Sequence, residues 1–322
     1  MATNDPVCAY STVLMGSPIL LKLFELNEAL ARQVFRLIKQ QENLLTVNRT
    51  PSEVMNVNLA AGQHPVNVSP SVFELIRCAK AVSLMPDSIF NFTIGPVVKC
   101  WKIGFQGNSV PSDAELQARL MRCNPQDVIL DEKKQTVFLA KAGMEIDLGA
   151  IAKGYIADCV QALLHQQGIS RALINLGGNV QTLGAPDSQA GWAIGLKKPF
   201  GAADELIGVI EVVNKSVVTS GIYERFFELD GQIYHHILDA KTGYPLDNEL
   251  LSVTIISDRS IDGDIYTTLL YGMGVEKGIA YLAAHPALDA IFITRDKQVI
   301  CSSSRQFNFA LLDNRYQLSY WQ

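Results

Sequence analysis

Residues 147–154 read DLGAIAKG, where a short apolar alternation gives way to a helical pattern. An acid (Asp147), a flexible Gly149–Ala150 turn and an ammonium group (Lys153) sit together at that junction. It is not one of the usual phosphate loops. The lysine precedes Gly154, Tyr155 follows it, and the G-x-G-x-x-G spacing is absent. What remains is a helix start, whose free N–H groups and positive dipole end favour an anion, with Lys153 adding charge. A plain strand-to-helix turn, with Asp147 satisfying backbone donors and Lys153 solvated, accounts for the same spacing.

Two further constellations have chemical potential. Asp264 and Thr268 stand four apart in DIYTT, so on a helix a carboxylate and a hydroxyl project from one face. Hard oxygens of this kind, with a backbone carbonyl, suit Mg²⁺, which keeps waters and takes other ligands from substrate phosphates. The plainer alternative is a helix N-terminus capped by Asp262 or Asp264, with Thr268 packed. The third constellation lies in SVVTSGIYERFFELDGQIYHHILD, which reads as two strands around an Asp230–Gly231 turn. A two-residue loop pairs Leu229 with Gln232, Phe227 with Tyr234 and Arg225 with His236, and turns His235 to the opposite face. A histidine beside a fixed arginine has its cation disfavoured and stays able to accept a proton. Two strand histidines without catalytic duty are the bland reading. The turn Asp239–Pro245 follows at once and fixes the hairpin end.

These residues need a scaffold, and the 322-residue chain, 48% hydrophobic, is long enough to bury a large core. TVLMGSPILLKLFEL reads as paired strands leading into a helix near Asn27, with Leu30, Val34, Leu37 and Ile38 on one face. Ser71 with Glu74, and Ser112 with Glu115, read as capping boxes. DVILDEKKQTVFLA reads as a polar-turned hairpin and ISRALINLGGNVQTLG as a strand ending in two glycines. The 147–163 segment reads as a strand, then a helix burying Ile151, Tyr155, Cys159 and Leu163 and stopping near Gly168. No low-complexity linker or 20–50-residue repeat divides the chain. The expectation is an α+β fold, one mixed α/β domain over residues 1–322 with two lobes.

Composition excludes several classes. Net charge is −5 and no Lys/Arg run marks a polyphosphate track, which argues against nucleic acid. The six cysteines lie far apart with no C-x-x-C pair, a pattern of buried thiols in a reducing compartment. The first residues show no basic segment followed by an apolar stretch, and no run approaches ~18 apolar residues. The expected location is cytoplasmic, with no membrane insertion.

Taken in order, the pieces resemble the FAD:protein FMN transferases, the flavin transferase (ApbE) family. The matching stretches are Met15-Gly16-Ser17, LTVNRTPSEVMNVN (45–58), FNFTIGPVVKCW (90–101), DLGAIAKGYIAD (147–158), INLGGN (174–179), SGIYER (220–225), YHHILDAKTGYP (234–245) and DIYTT (264–268). The resemblance implies that Asp147, Lys153, Met15, Phe90 and Asn91 contact FAD, with Gly177 and Gly178 lining the flavin pocket. It implies metal ligation by the Ala150 carbonyl, Asp264 and Thr268, and makes His236 the base, beside Arg225. The implied reaction is Mg²⁺-dependent transfer of FMN from FAD to a threonine or serine of an acceptor flavoprotein, releasing AMP. The rival readings are an FAD pyrophosphatase and a flavin-binding protein without turnover.

The chain departs from the family pattern at three places. Asn91 stands where Asp is usual, Asn48 where an aromatic is common, and Ile222 replaces the Asp of S-G-D-Y. Asn91 keeps hydrogen-bonding capacity but loses a charge, and Asn48 removes a stacking surface.

Overall fold

The computed structural model describes residues 7–105, 107–186, 189–302 and 306–321. The chain divides into two interleaved compact units: Met1–Gln40, Lys153–Gly221 and Glu249–Gln322 form one, Gln41–Ala152 and Ile222–Asn248 the other. Both mix helix and sheet, the expected class.

The first unit is built on a nine-stranded sheet. Its order is Cys8–Leu14, Ser17–Leu23, Ala172–Leu176, Asn179–Leu183, Ser216–Gly221, Leu250–Ser257, Asp289–Thr294, Gln298–Ser302 and Gln317–Trp321. Neighbours are antiparallel except the last pair. The first two strands pair as expected, around a Met15–Gly16 turn with both residues at positive φ (52° and 65°). ISRALINLGGNVQTLG is a second hairpin rather than one strand: Gly177 and Gly178, also at positive φ, turn the chain from Ala172–Leu176 straight into Asn179–Leu183. That second strand is buried on both faces, so it lacks the alternation that reveals a half-exposed strand.

The helix Ser260–Ala283 packs on the middle of this sheet. A three-stranded sheet (Phe307–Leu311, Leu206–Val212, Trp192–Lys197) belongs to the same unit. Ile207, Ile210, Val212 and Phe307 from it share a core with Ile256, Ile291, Ile293 and Val299 of the large sheet.

The helix Gly149–Gln166 ends with Gly168 at φ 74°, as the sequence suggested. Its buried face differs from the expected one. Ile151 is buried, but the fully buried line continues through Ile156, Val160 and Leu164, leaving Tyr155, Cys159 and Leu163 half-exposed. Apolar residues occupy both stripes, so periodicity alone did not choose between them.

In the second unit Ser52 and Ser112 cap the helices Glu53–Leu59 and Asp113–Leu120 through their hydroxyls. The helix Pro70–Ser83 starts two residues earlier than expected. Ser69 is its N-cap and Pro70 occupies the first turn, so Ser71 lies inside the helix. The Ser69 hydroxyl instead donates to Glu53 at 3.0 Å, and its N–H donates to the same oxygen at 2.7 Å. A three-stranded sheet (Val66–Asn67, Thr136–Leu139, Val128–Asp131) contains the expected hairpin. A second core gathers Val97, Trp101, Ile103, Leu116 and Leu238. The Trp101 indole N–H donates to the Gly243 carbonyl at 2.7 Å, tying the 239–245 turn to that core.

Candidate active site

The residues singled out from sequence fall into two clusters, one in each unit. In the first unit Asp264 is the centre. Its carboxylate is buried in the first turns of Ser260–Ala283 and accepts from the Gly154 N–H (2.6 Å) and the Asn179 side-chain amide (2.9 Å). Two glycines permit this approach. A Cβ at Gly154 would lie 2.4 Å from the Ser260 carbonyl oxygen, and one at Gly263 would lie 2.4 Å from a Val218 methyl. Burial pushes the Asp264 carboxyl up to about 7, against the lowering effects of Gly154, Asn179 and the Lys153 charge. The Thr268 hydroxyl donates back to the Asp264 backbone carbonyl at 3.4 Å, and Thr267 does the same at 3.0 Å. Asp264 and Thr268 therefore share a helix face as expected.

Neither Asp262 nor Asp264 caps that helix. Asp158 does so from the preceding helix, accepting from the N–H groups of Ser260 (2.7 Å) and Ile261 (3.1 Å). Lys153 donates to the Ser17 hydroxyl at 3.3 Å. A Cβ on Gly177 would collide with Ser17 at 2.5 Å and approach the Lys153 nitrogen at 3.2 Å, so Met15-Gly16-Ser17, Lys153 and Gly177 meet at one corner. Gly178, at φ 100°, leaves open space where a side chain would be.

The second unit holds the hairpin. Its register is the expected one: Leu229 opposite Gln232, Phe227 opposite Tyr234, Phe226 opposite His235. The pairing continues past the strand ends, with the His236 N–H donating to the Arg225 carbonyl at 3.2 Å. The two histidines have different duties. His235 is buried; its Nδ1 accepts from the Ile237 N–H at 3.3 Å, so Nε2 carries the proton and donates to the Leu246 carbonyl at 3.1 Å. His236 is half-buried and its Nδ1 lies 3.2 Å from the Arg225 carbonyl. A carbonyl only accepts, so Nδ1 carries the proton and Nε2 keeps its lone pair. The pKa of His236 is lowered to about 4. Burial is the larger cause, the carbonyl bond opposes it, and the Arg225 charge adds to it. The arginine effect read from sequence is thus present but secondary. Gly104 makes room for Arg225: a Cβ there would stand 2.9 Å from its side chain.

Asp147 is in this unit. Its N–H donates to the Phe92 carbonyl, its carboxylate accepts from the Gly149 N–H at 2.8 Å, and burial raises its pKa. Asn58 clamps the preceding residue, accepting from the Ile146 N–H and donating to its carbonyl. Ala150 is exposed in the first turn of the helix. Two residues expected to contact FAD have side chains engaged within the protein. The Phe90 ring is buried in the core. Asn91 donates to the Cys123 carbonyl at 2.7 Å and accepts from both the N–H and the hydroxyl of Thr93. An aspartate could not make the Cys123 bond, which gives the departure at 91 a structural reason. Ile222 is a core residue and Asn48 is exposed.

A divalent cation fits the first cluster. Asp264 and Thr268 present hard oxygens, and the Gly154 N–H and the Asn179 amide that hold the buried carboxylate are neutral donors. Among the described residues no three His, Cys, Asp or Glu side chains form a metal cluster. A cation here would complete its shell with water and substrate oxygens, as Mg²⁺ does.

The sequence reading passed over Asn179, Ser260, Asp158 and Ser17. Asn179, Asp158 and Ser17 each end a stretch whose other members were chosen. Ser260 carried no local signal at all.

A sequence model of the ApbE family matches residues 15–292. The chain is 59% identical over 316 residues to an FAD:protein FMN transferase of Klebsiella pneumoniae strain 342, covering 98% of each chain. It is 39% identical over 307 residues to an FAD:protein FMN transferase of Treponema pallidum, covering 91% of this chain and 84% of that one. The fold matches the crystal structure of an ApbE protein from Thermotoga maritima with TM-score 0.79 at 29% identity, covering 90% and 94% of the two chains. For the flavin transferase ApbE of Vibrio cholerae the TM-score is 0.80 at 25% identity, covering 95% and 97%.

Proposed function

The chain belongs to the ApbE family, and from that premise we propose that it transfers FMN from FAD to a threonine or serine hydroxyl of an acceptor flavoprotein. The acceptor oxygen attacks the FMN-side phosphorus, the bond to the bridging oxygen breaks, and AMP leaves. His236 takes the hydroxyl proton at Nε2. The observation that carries this reading is the imidazole itself, with Nδ1–H held by the Arg225 carbonyl and Nε2 unprotonated. Burial keeps it neutral at pH 7, and the negative phosphates of bound FAD would raise its basicity toward the working range.

Asp264 and Thr268, with the Ala150 carbonyl, are the proposed Mg²⁺ ligands. When bound, the ion neutralises diphosphate charge. The Gly154 N–H, which regular helix geometry assigns to the carbonyl of residue 150, has the Asp264 carboxylate competing for it, and this supports the ligand set. Lys153 supplies positive charge for the diphosphate. Asp147 fixes the turn through Gly149, and Gly178 leaves room for a flat ring. Met15, Gly177 and Asn91 are proposed to shape the FAD site by their backbones, and Phe90 to support it from the core.

The acceptor is proposed to be an intracellular flavoprotein. The six cysteines are free thiols, in keeping with a reducing compartment, and among the described residues no helix is long and apolar enough to cross a membrane. The test is incubation of the full chain with FAD, Mg²⁺ and an acceptor flavoprotein. Covalent flavin fluorescence on the acceptor is expected. Free FMN with AMP would make the protein a pyrophosphatase, and unchanged FAD a binder without turnover.

A further inference from the structure

Behind Asp264 lies a buried chain of hydrogen bonds that the transfer reaction does not by itself require. The Ser216 hydroxyl is 2.9 Å from that of Ser260, the Ser260 hydroxyl is 2.6 Å from Asn179 Oδ1, and Asn179 Nδ2 is 2.9 Å from Asp264 Oδ1. Ser216 and Ser260 are fully buried and Asn179 nearly so. The four residues come from three separate segments. Two lie on adjacent strands of the large sheet and two on the helix packed against it.

The order of donors is fixed by chemistry. An ionised carboxylate only accepts, so the Asn179 NH₂ faces Asp264 and its Oδ1 faces Ser260. That oxygen needs a donor, and the Ser260 hydroxyl provides it. Turning the amide over would set two acceptors against each other at Asp264, in a place where neither reaches water. The carboxylate is thus held at one oxygen by Asn179 and at the other by the Gly154 N–H. Each oxygen keeps a second lone pair. Both of these partners are neutral, so they orient the carboxylate without cancelling its charge. A lysine or arginine in place of Asn179 would orient it equally well and cancel that charge.

We propose that Asn179, locked by Ser260 and Ser216, is a positioning residue that sets the orientation in which Asp264 receives the divalent metal. This rests on the reading of Asp264 as a metal ligand. Outer partners of metal-binding carboxylates typically contribute about 10–100-fold in affinity.

The experiment compares Asn179→Ala, Ser260→Ala and Asp264→Ala with the unmodified chain. Mn²⁺ binding is titrated by its paramagnetic signal with FAD present and no acceptor, and FMN transfer is followed as a function of Mg²⁺ concentration. Asn179→Ala is expected to weaken Mn²⁺ binding by about tenfold or more and to raise the half-saturating Mg²⁺ in step. Its rate at saturating Mg²⁺ should fall far less. Ser260→Ala, which unlocks the amide without removing it, should shift both in the same direction by a smaller factor. A purely structural role would lower the melting temperature and leave metal affinity unchanged, which overturns the proposal. If Asn179→Ala does not fold, Ser260→Ala decides alone: wild-type Mn²⁺ affinity in that variant overturns it. Wild-type Mn²⁺ binding by Asp264→Ala would remove the ligand assignment itself. Loss of binding in Asp264→Ala, with wild-type affinity in both other variants, would remove only the positioning role.

Discussion

The hairpin around Asp230–Gly231 and the buried chain around Asp264 are opposite ways of holding a reactive group. The hairpin is local. Its turn sets the register, the register sets which histidine faces which way, and one carbonyl then fixes the tautomer of His236. The Asp264 chain is non-local, joining Asn179, Ser216 and Ser260 across sequence separations of 44 to 85 residues. The first can be derived from residue types in order. The second exists only when the sheet and its helix have assembled. A local device holds the proposed base at a half-exposed site; a buried charge needs partners from all round.

The largest effect should come from the non-local side. Asp264→Ala removes the proposed ligand and leaves the Gly154 N–H and the Asn179 amide without their acceptor. Several kcal/mol of charge stabilisation lost corresponds to a fall in transfer rate of about 10³-fold or more. Excess chelator should do the same to the unaltered protein. Near-normal flavinylation in either case would remove the metal from the comparison.

Next is the hairpin pair. His236→Ala should lose about a hundredfold or more in transfer while still binding FAD. His235→Ala should stay within a few-fold in rate per folded molecule. Its cost is stability, about 1–3 kcal/mol, because the Leu246 carbonyl and the Ile237 N–H lose a buried partner. Initial rates of covalent labelling and chemical denaturation of both variants separate the two roles. A dead His235→Ala beside an active His236→Ala would mean that the faces are exchanged.

The same histidine predicts a pH dependence. Its folded pKa is lowered to about 4, whereas in the unfolded chain it titrates near 6.5. The unfolded state therefore takes up the proton first. The stability tied to neutral His236 is complete above pH 6.5 and is lost as pH falls towards 4. For kcat/KM the free enzyme should show no acid limb from this residue between pH 5 and 8. A limb at 6.5 that vanishes in His236→Ala would show that the imidazole is solvated in the working enzyme.

How much of this was legible follows from the same contrast. The Met15–Gly16 and Asp230–Gly231 hairpins, the Asn27 helix start and the Ser112 cap could be read because a few neighbouring residues decide each of them. The Ser71 cap failed by two residues, since Ser69 and Pro70 offered a competing start and the Ser69 hydroxyl was taken by Glu53. The strand Asn179–Leu183 was run together with the one before it, because both of its faces are buried and no alternation sets it apart. Asp158 as a cap, and Ser260 as the lock on Asn179, depend on contacts about 80 to 100 residues apart in the chain. Type and spacing carry no trace of those. The family resemblance, being a pattern over the whole chain, pointed to Asp264 where local spacing left it undecided.

A smaller effect tests what stiffens the local device. Trp101→Phe keeps most of the aromatic packing against Tyr234 and Tyr244 but removes the indole N–H from the Gly243 carbonyl. An unpaired buried carbonyl costs about 1–3 kcal/mol. Thermal unfolding should shift down accordingly, and amide exchange should rise in 239–245 before it rises in the nine-stranded sheet. Uniform loosening of both regions would show that the hairpin end is not an independent element.

The smallest effect concerns two turns with the same backbone and different residues. Asp230–Gly231 has φ of 51° and 76°, and Met15–Gly16 has 52° and 65°. Aspartate tolerates the left-handed region because its short side chain bonds locally, whereas methionine gains nothing there and carries a penalty of roughly 1–2 kcal/mol. Met15→Gly would relieve that strain, while making the unfolded chain more flexible costs roughly 0.5–1 kcal/mol. The two nearly cancel, so stability should change by less than about 1 kcal/mol, measured by urea denaturation. A strained residue that stability does not demand points to use of its side chain or of the turn it forms. The adjoining Ser17 meets Lys153, so if Met15 shapes the FAD site, Met15→Gly should weaken FAD binding while leaving the melting temperature nearly fixed. Equal FAD affinity in the variant would confine Met15 to the turn, and a large loss of stability would show that its side chain belongs to the packing of the first two strands.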